Sequence, residues 1–185
     1  MLQSRSNLSM MIVSALFAAI IGILAQVVVQ LPLVPITGQT LAIGLAATIL
    51  GSKYGTLSVI IYLCLGAIGV PVYAEMGSGL GSLFGPTGGF LFGFIPAAFI
   101  MGYYLEKTSF TFKQALIANV IGMFVTLFIG TAWLKVAAGL TWPAAFAGGF
   151  IPFIPVGFIK AGLAAWIGIA VRNRLASARI AVPGV

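Results

Sequence analysis

Lys160 is the residue whose position most needs a chemical explanation. It stands in Phe158-Ile159-Lys160-Ala161-Gly162-Leu163, inside an apolar segment that begins near residue 151. Helical rise puts it ~10–14 Å below the start of that segment. An ammonium at such depth in a bilayer costs about 2.5–3.5 kcal/mol on insertion scales. Such a lysine either snorkels to the headgroups along its own stem or meets an anion. The chain has only two acids; Glu75, in an unusual loop, is a candidate resting partner. A single buried cation under an outward pocket points to a ligand with one carboxylate. Gln39, flanked by Thr37 and Thr40, stands at the mouth of another apolar run, where it either reads a polar edge of the ligand or caps a helix. Tyr73, Phe84, Phe90, Phe92, Phe153 and Phe158 are the aromatic candidates for the wall around an apolar ligand body.

Other chemistries find few residues. The chain has no histidine, so Ser–His and Cys–His nucleophile pairs are excluded, and with them the commonest metal ligand. Cys64, the single cysteine, lies in an apolar run where packing is its expected role. No Gly-x-x-x-x-Gly-Lys-Ser/Thr loop is present to cradle ATP phosphates. No pair of intramembrane carboxylates supports a stand-alone, ion-driven carrier. Neither catalytic residues, nor a metal site, nor a cofactor is expected, and the chain is not read as an enzyme.

The elements that must position Lys160 follow from composition. Of 185 residues, 61% are hydrophobic and 6% charged, with mean hydropathy +1.19, whereas a soluble domain is about 25% charged. The apolar runs have helical length and lack the ten-residue alternation of barrel strands. The chain therefore reads as an all-α integral membrane protein, a six-helix bundle with segments near 8–30, 41–50 and 56–70, a fourth that follows a glycine-rich stretch and ends near 105, and two more near 114–135 and 151–174. Residues 1–175 form one membrane domain and 176–185 a patternless tail, expected to be partly disordered. The net charge of +7 is an orientation signal rather than a nucleic-acid footprint. Under this count Arg5, Lys53, Lys107, Lys113, Arg172, Arg174 and Arg179 fall on one side and only Lys135 on the other, so both termini are expected in the cytoplasm. Ala15 and Ala19, four apart on the first segment, form a small-residue face for packing within the protein or for docking another membrane protein.

One stretch resists a helical reading. Residues 71–94 hold seven glycines and two prolines between apolar flanks, and each glycine inside a helix costs about 1 kcal/mol relative to alanine. With this charge count the stretch faces outward, as a loop folding over a pocket.

Its second half, Gly85-Pro86-Thr87-Gly88-Gly89-Phe90-Leu91-Phe92-Gly93-Phe94, resembles the signature of the BioY family. So do Pro71-Val72-Tyr73-Ala74, Thr37-Gly38-Gln39-Thr40-Leu41, and Ile151-Pro152-Phe153-Ile154-Pro155 leading to Lys160-Ala161. The resemblance runs in order over nearly the whole chain. It implies a biotin-binding S component of an energy-coupling factor (ECF) transporter in a bacterial-type cell membrane, partnered by a transmembrane scaffold subunit and two ATPases. Thr87, Gly88, Gly89 and Phe90 become expected binding residues beside Gln39, Tyr73 and Lys160, and Ala15 and Ala19 the scaffold-docking face. Two positions depart from the pattern. Gly157 stands where the family usually carries an aspartate, and Met76 and Gly77 where a polar residue is expected. Glu75, Gln39 and Ser78 are the candidates to replace those partners of biotin's ureido ring. Lipoate, which keeps the carboxylate and lacks the ring, is the alternative ligand.

Overall fold

A computed structural model describes residues 2–177. The elements run α1 (Leu2–Ala25), β1 (Val28–Val29), β2 (Ile36–Thr37), α2 (Gln39–Ala67), a 3₁₀ turn (Ala74–Met76), α3 (Gly79–Phe84), α4 (Gly88–Lys107), α5 (Phe112–Ala137), α6 (Trp142–Gly149) and α7 (Phe153–Ser177). Five of these helices are long and apolar enough to cross a bilayer. Side chains such as Ile12, Leu16, Ile23, Phe128 and Trp166 stay exposed on the bundle surface, as expected where the solvent is lipid. The protein is a multi-pass membrane protein.

The second long helix is not straight. Gly51 has φ 74° and ψ −168°, a backbone region open essentially to glycine, and there the chain reverses. Gly55 packs on the backbone of Ala46 and Ala47, and the Gln39 amide reaches Tyr62, 23 residues on, at 2.5 Å; in a straight helix those residues would be ~34 Å apart. The halves 39–50 and 52–67 are therefore antiparallel neighbours. Glu106, at the end of α4, closes the reversal by accepting from the Ser52 backbone N–H and hydroxyl, each at 2.7 Å. A carboxylate there also meets the positive end of the second half-helix.

That end of the bundle gathers the basic residues. Arg172, 2% exposed, donates to the Ile49 carbonyl at 2.7 Å. Its guanidinium carbon sits 3.4 Å from the Phe110 ring centroid. Tyr54 donates to Asn7 at the start of α1 at 3.2 Å. The Gly51 reversal, the α4–α5 junction with Lys107 and Lys113, and the end of α7 thus share one end, while Lys135 lies at the opposite one, its ammonium 5.5 Å from the Trp142 ring. Arg179 and most of the expected tail lie outside the described residues; α7 itself continues through Ser177.

Three expectations change. The first helix ends at Ala25 rather than near residue 30, because Val28 and Val29 pair with Thr37 and Ile36 in an antiparallel ribbon. The linker after α5 contains α6, begun by Pro143 in its first turn, where the missing proline N–H is no loss. Cys64 is exposed on the bundle surface rather than packed inside.

Replacing Glu106 by Ala removes two charge-assisted hydrogen bonds from the reversal and is expected to destabilise the fold by about 1.5–3 kcal/mol. Glu106→Gln, which keeps an acceptor oxygen, should fall in between, as read by thermal unfolding in detergent.

Candidate ligand-binding site

A cavity of about 230 Å³ opens at the end opposite the Arg172 cluster. Its walls come from the start of α2 and from α3, α4, α5 and α7; Val34 and Pro35 in the connection between the two strands and the loop residues Tyr73 and Ala74 cover it. Its lining is mostly apolar, and Lys160 is the only charged side chain among the described residues that line it. Ligand pockets for drug-sized molecules usually measure roughly 300–1,000 Å³, so this one suits a compact solute rather than a lipid.

Lys160 lies seven residues into α7, ~10 Å along its axis. It does not snorkel freely: Nζ donates to the Thr37 carbonyl at 2.6 Å. The β1–β2 ribbon presents that carbonyl, because its register sets Thr37 opposite Val28. An ammonium has three donors, and a neutral carbonyl takes one of them without balancing the charge. A carboxylate would do both, since buried charge is tolerated when paired and hydrogen-bonded.

Behind Thr37 runs a short polar chain. The Thr37 hydroxyl donates to Gln39 Oε1 at 2.6 Å, and Gln39 Nε2 donates to the Tyr62 oxygen at 2.5 Å. Tyr62 meets Tyr73 edge to face, with centroids 5.6 Å apart at 77°. Tyr73 donates to the Leu63 carbonyl at 2.6 Å. Burial, with a smaller contribution from nearby Cys64, pushes the Tyr73 phenol up to about 12, so it remains a neutral donor. Gln39 thus lines the cavity with both ends of its amide engaged; it stands at the helix start without capping it.

The candidate residues separate into two groups. Gln39, Tyr73, Thr87, Phe90 and Lys160 all line the cavity. Phe90 stacks on Phe153 at 6.0 Å and 22° to form an aromatic wall. Glu75, Ser78, Gly88 and Gly89 are not among the lining residues. Glu75 is exposed and accepts from Gln30 at 2.7 Å, so it is not the partner of Lys160. The carbonyl of Ser78 accepts from Ser82 at 3.0 Å. Gly88 lies against the Leu83 backbone and Gly89 against Trp133; they make room for a tight α3–α4 corner, whose Gly85 carbonyl accepts from the Trp133 indole at 2.9 Å. Phe84 and Phe158 are exposed, and Phe92 packs on Trp133.

Residue spacing did not reveal Tyr62 or Thr126. Thr40, Thr87 and Thr126 line the cavity with hydroxyls that no described residue engages. At Gly157 no pocket opens: the Met123 thioether occupies the space where a side chain would begin.

A polytopic helical bundle with a compact, largely apolar cavity and one cation in its wall is a small-molecule-binding membrane protein. The sequence matches the BioY family over residues 1–177. It is 40% identical over 161 residues to the biotin transporter BioY2 of Lactococcus lactis, covering 87% of this chain and 88% of that one. It is 37% identical to the biotin transporter BioY of Thermotoga maritima, covering 88% and 95%. The fold superposes on the crystal structure of the S-component for biotin from an ECF-type ABC transporter with a TM-score of 0.83 and 30% identity, over 91% and 93% of the two chains. The chain belongs to the BioY family.

Replacing Tyr62 by Phe leaves the Gln39 amide without its partner, a penalty of about 1–3 kcal/mol for a buried donor. The expected result is a lower melting temperature in detergent; an unchanged one would mean that the amide has another partner within reach.

Proposed function

We propose that this protein is the biotin-capturing S component of an ECF-type importer, and that Lys160 pairs the ligand carboxylate. The observation that carries the reading is Lys160 itself, a cation in the wall of a small apolar cavity with only a carbonyl against it. Phe90 and Phe153 would hold the apolar part of the ligand, and the free hydroxyls of Thr40, Thr87 and Thr126 the polar edge of the ureido ring.

The two halves of α2 belong to separate passes in this reading, the first completed by the ribbon segment that precedes it, which makes six. With the basic end in the cytoplasm, both termini are cytoplasmic and the cavity receives its ligand from the extracellular side. A scaffold subunit, met by the exposed Ala15 and Ala19 face of α1, and two ATPases would energise release inward. This supplies the nucleotide chemistry for which the chain has no motif.

Lipoate is the second reading. Met123 fills the space beside Gly157, where the resemblance would put a carboxylate for the ureido ring.

Titration calorimetry of the purified protein with biotin, its carboxamide and lipoate tests both readings. Tight binding of biotin is expected. Lys160→Ala should weaken biotin at least ~30-fold, since truncating one partner of a buried charge pair costs about 2–5 kcal/mol, while leaving the carboxamide nearly unaffected. Equal losses would remove Lys160 from the carboxylate. Preference for lipoate would establish the second reading, and binding of neither would refute both.

A further inference from the structure

The segment 73–77 covers the cavity with Tyr73 and Ala74. Its backbone is unusual. Glu75 and Met76 both have φ 58°, the left-handed region that side chains with a Cβ disfavour. Two internal hydrogen bonds close the turn, from the Tyr73 N–H to the Gly77 carbonyl and from the Gly77 N–H to the Ala74 carbonyl, each at 3.0 Å. Two consecutive left-handed residues without glycine persist when surrounding contacts over-determine them.

Much of that outside support comes from the turn that follows α1. The Gln26 side chain serves both faces of the turn. Its Nε2 donates to the Tyr73 carbonyl at 2.9 Å, and its Oε1 accepts from the Met76 N–H at 2.9 Å. Nε2 also donates to the Gly22 carbonyl at 3.1 Å, which ties the amide back to its own helix. One side chain therefore pairs with the covering segment much as a neighbouring strand would, and Gln30 adds the bond to Glu75 at 2.7 Å. On the inner side Tyr73 is moored separately, to α2 through Leu63. The segment thus hangs between α2 and the end of α1, and α1 is the less embedded of the two: its Ile12, Leu16 and Ile23 are exposed, whereas Ile43, Val59 and Tyr62 of α2 are buried.

We infer that Gln26 is a positioning residue for the ligand cavity, a latch through which the placement of α1 holds the covering segment closed. The latch sets how long a ligand stays rather than how it is recognised, because Gln26 itself is not among the residues lining the cavity. Its bearing on the ligand rests on the proposed function; the latch itself is a property of the unliganded chain.

Two measurements separate these claims. In a Cys64→Ala background carrying Ala74→Cys, the rate of labelling by a charged maleimide reports exposure of the covering segment without any ligand. Gln26→Leu, which loses both bonds to the turn, is expected to raise that rate about tenfold. Gln26→Glu, which keeps the acceptor for Met76, should raise it less, and Gln30→Ala, at the exposed rim, about two- to threefold. The same Gln26→Leu change with Thr131→Cys in α5, 1% exposed, provides the control, and its labelling should stay slow. An unchanged rate at Ala74→Cys overturns the latch, and so does an equal acceleration at Thr131→Cys, which would mean general loosening. In the second measurement radiolabelled biotin should dissociate about tenfold faster from Gln26→Leu with its association rate little altered. If labelling responds while biotin does not bind the parent protein, the latch stands and the assigned ligand fails; if biotin binds and its dissociation is unaltered, the latch does not govern retention.

Discussion

An ammonium seven residues into a membrane helix needs partners that the bilayer cannot supply. Here the partner is the backbone carbonyl of Thr37, and much of the cavity end follows from bringing that carbonyl down to Lys160. Irregular backbone survives at membrane depth only where protein or a water-filled cavity surrounds it. The chain meets this condition by stopping α1 at Ala25, pairing two short strands, and starting α2 at Gln39. The first half of α2 then has only twelve residues before Gly51, ~18 Å of helix against a hydrocarbon core of ~30 Å. A half-helix that short leaves room at its upper end for the ribbon to sit between the long helices rather than above them. The contact that holds the lysine therefore also shapes the cavity.

The two ends of the bundle handle buried charge differently. Arg172 has a backbone carbonyl and an aromatic face against it, while Glu106 takes two donors from Ser52. That end is built from engaged groups that lock a helix reversal. At the cavity end the charge of Lys160 faces a neutral acceptor, and the hydroxyls of three lining threonines are engaged by no described residue. Groups that a folded protein leaves with hydrogen-bonding capacity in a concave apolar site are the ones a ligand can use, and they lie at this end.

Much of this was legible in the residues. A charge in an apolar run is expensive, which singles out Lys160, and the break between the segments 41–50 and 56–70 falls where Gly51 and Lys53 interrupt the apolar run. Other parts were hidden for physical reasons. Val27, Val28 and Val29 are apolar and β-branched, equally compatible with a helix end and with a strand, so the first strand of the ribbon that positions Thr37 falls inside the expected first helix. Tyr62 looks like any aromatic residue in a span; its function depends on Gln39, 23 residues earlier, being folded back beside it. Glu75 was a reasonable partner for the lysine on charge alone. The left-handed turn carries its carboxylate outward to Gln30 instead, and no spacing rule announces a turn made without glycine.

The glycines of the signature segment show the same dependence on context. A run of Gly-Pro-Thr-Gly-Gly invites a reading as flexible loop, yet Gly88 and Gly89 are buried at a close-packed corner where a methyl group would strike Leu83 or Trp133. Their contribution is space, which lets α4 begin directly under α3 and presents Thr87 and Phe90 to the cavity while the Trp133 indole fixes the corner. The neighbouring turn at Glu75 and Met76 is the converse, with residues that resist its backbone and side chains from the chain just after α1, Gln26 and Gln30, that hold it there. Small residues thus make the fixed wall of the cavity, and hydrogen-bonded strain makes the part of its cover that is able to give way.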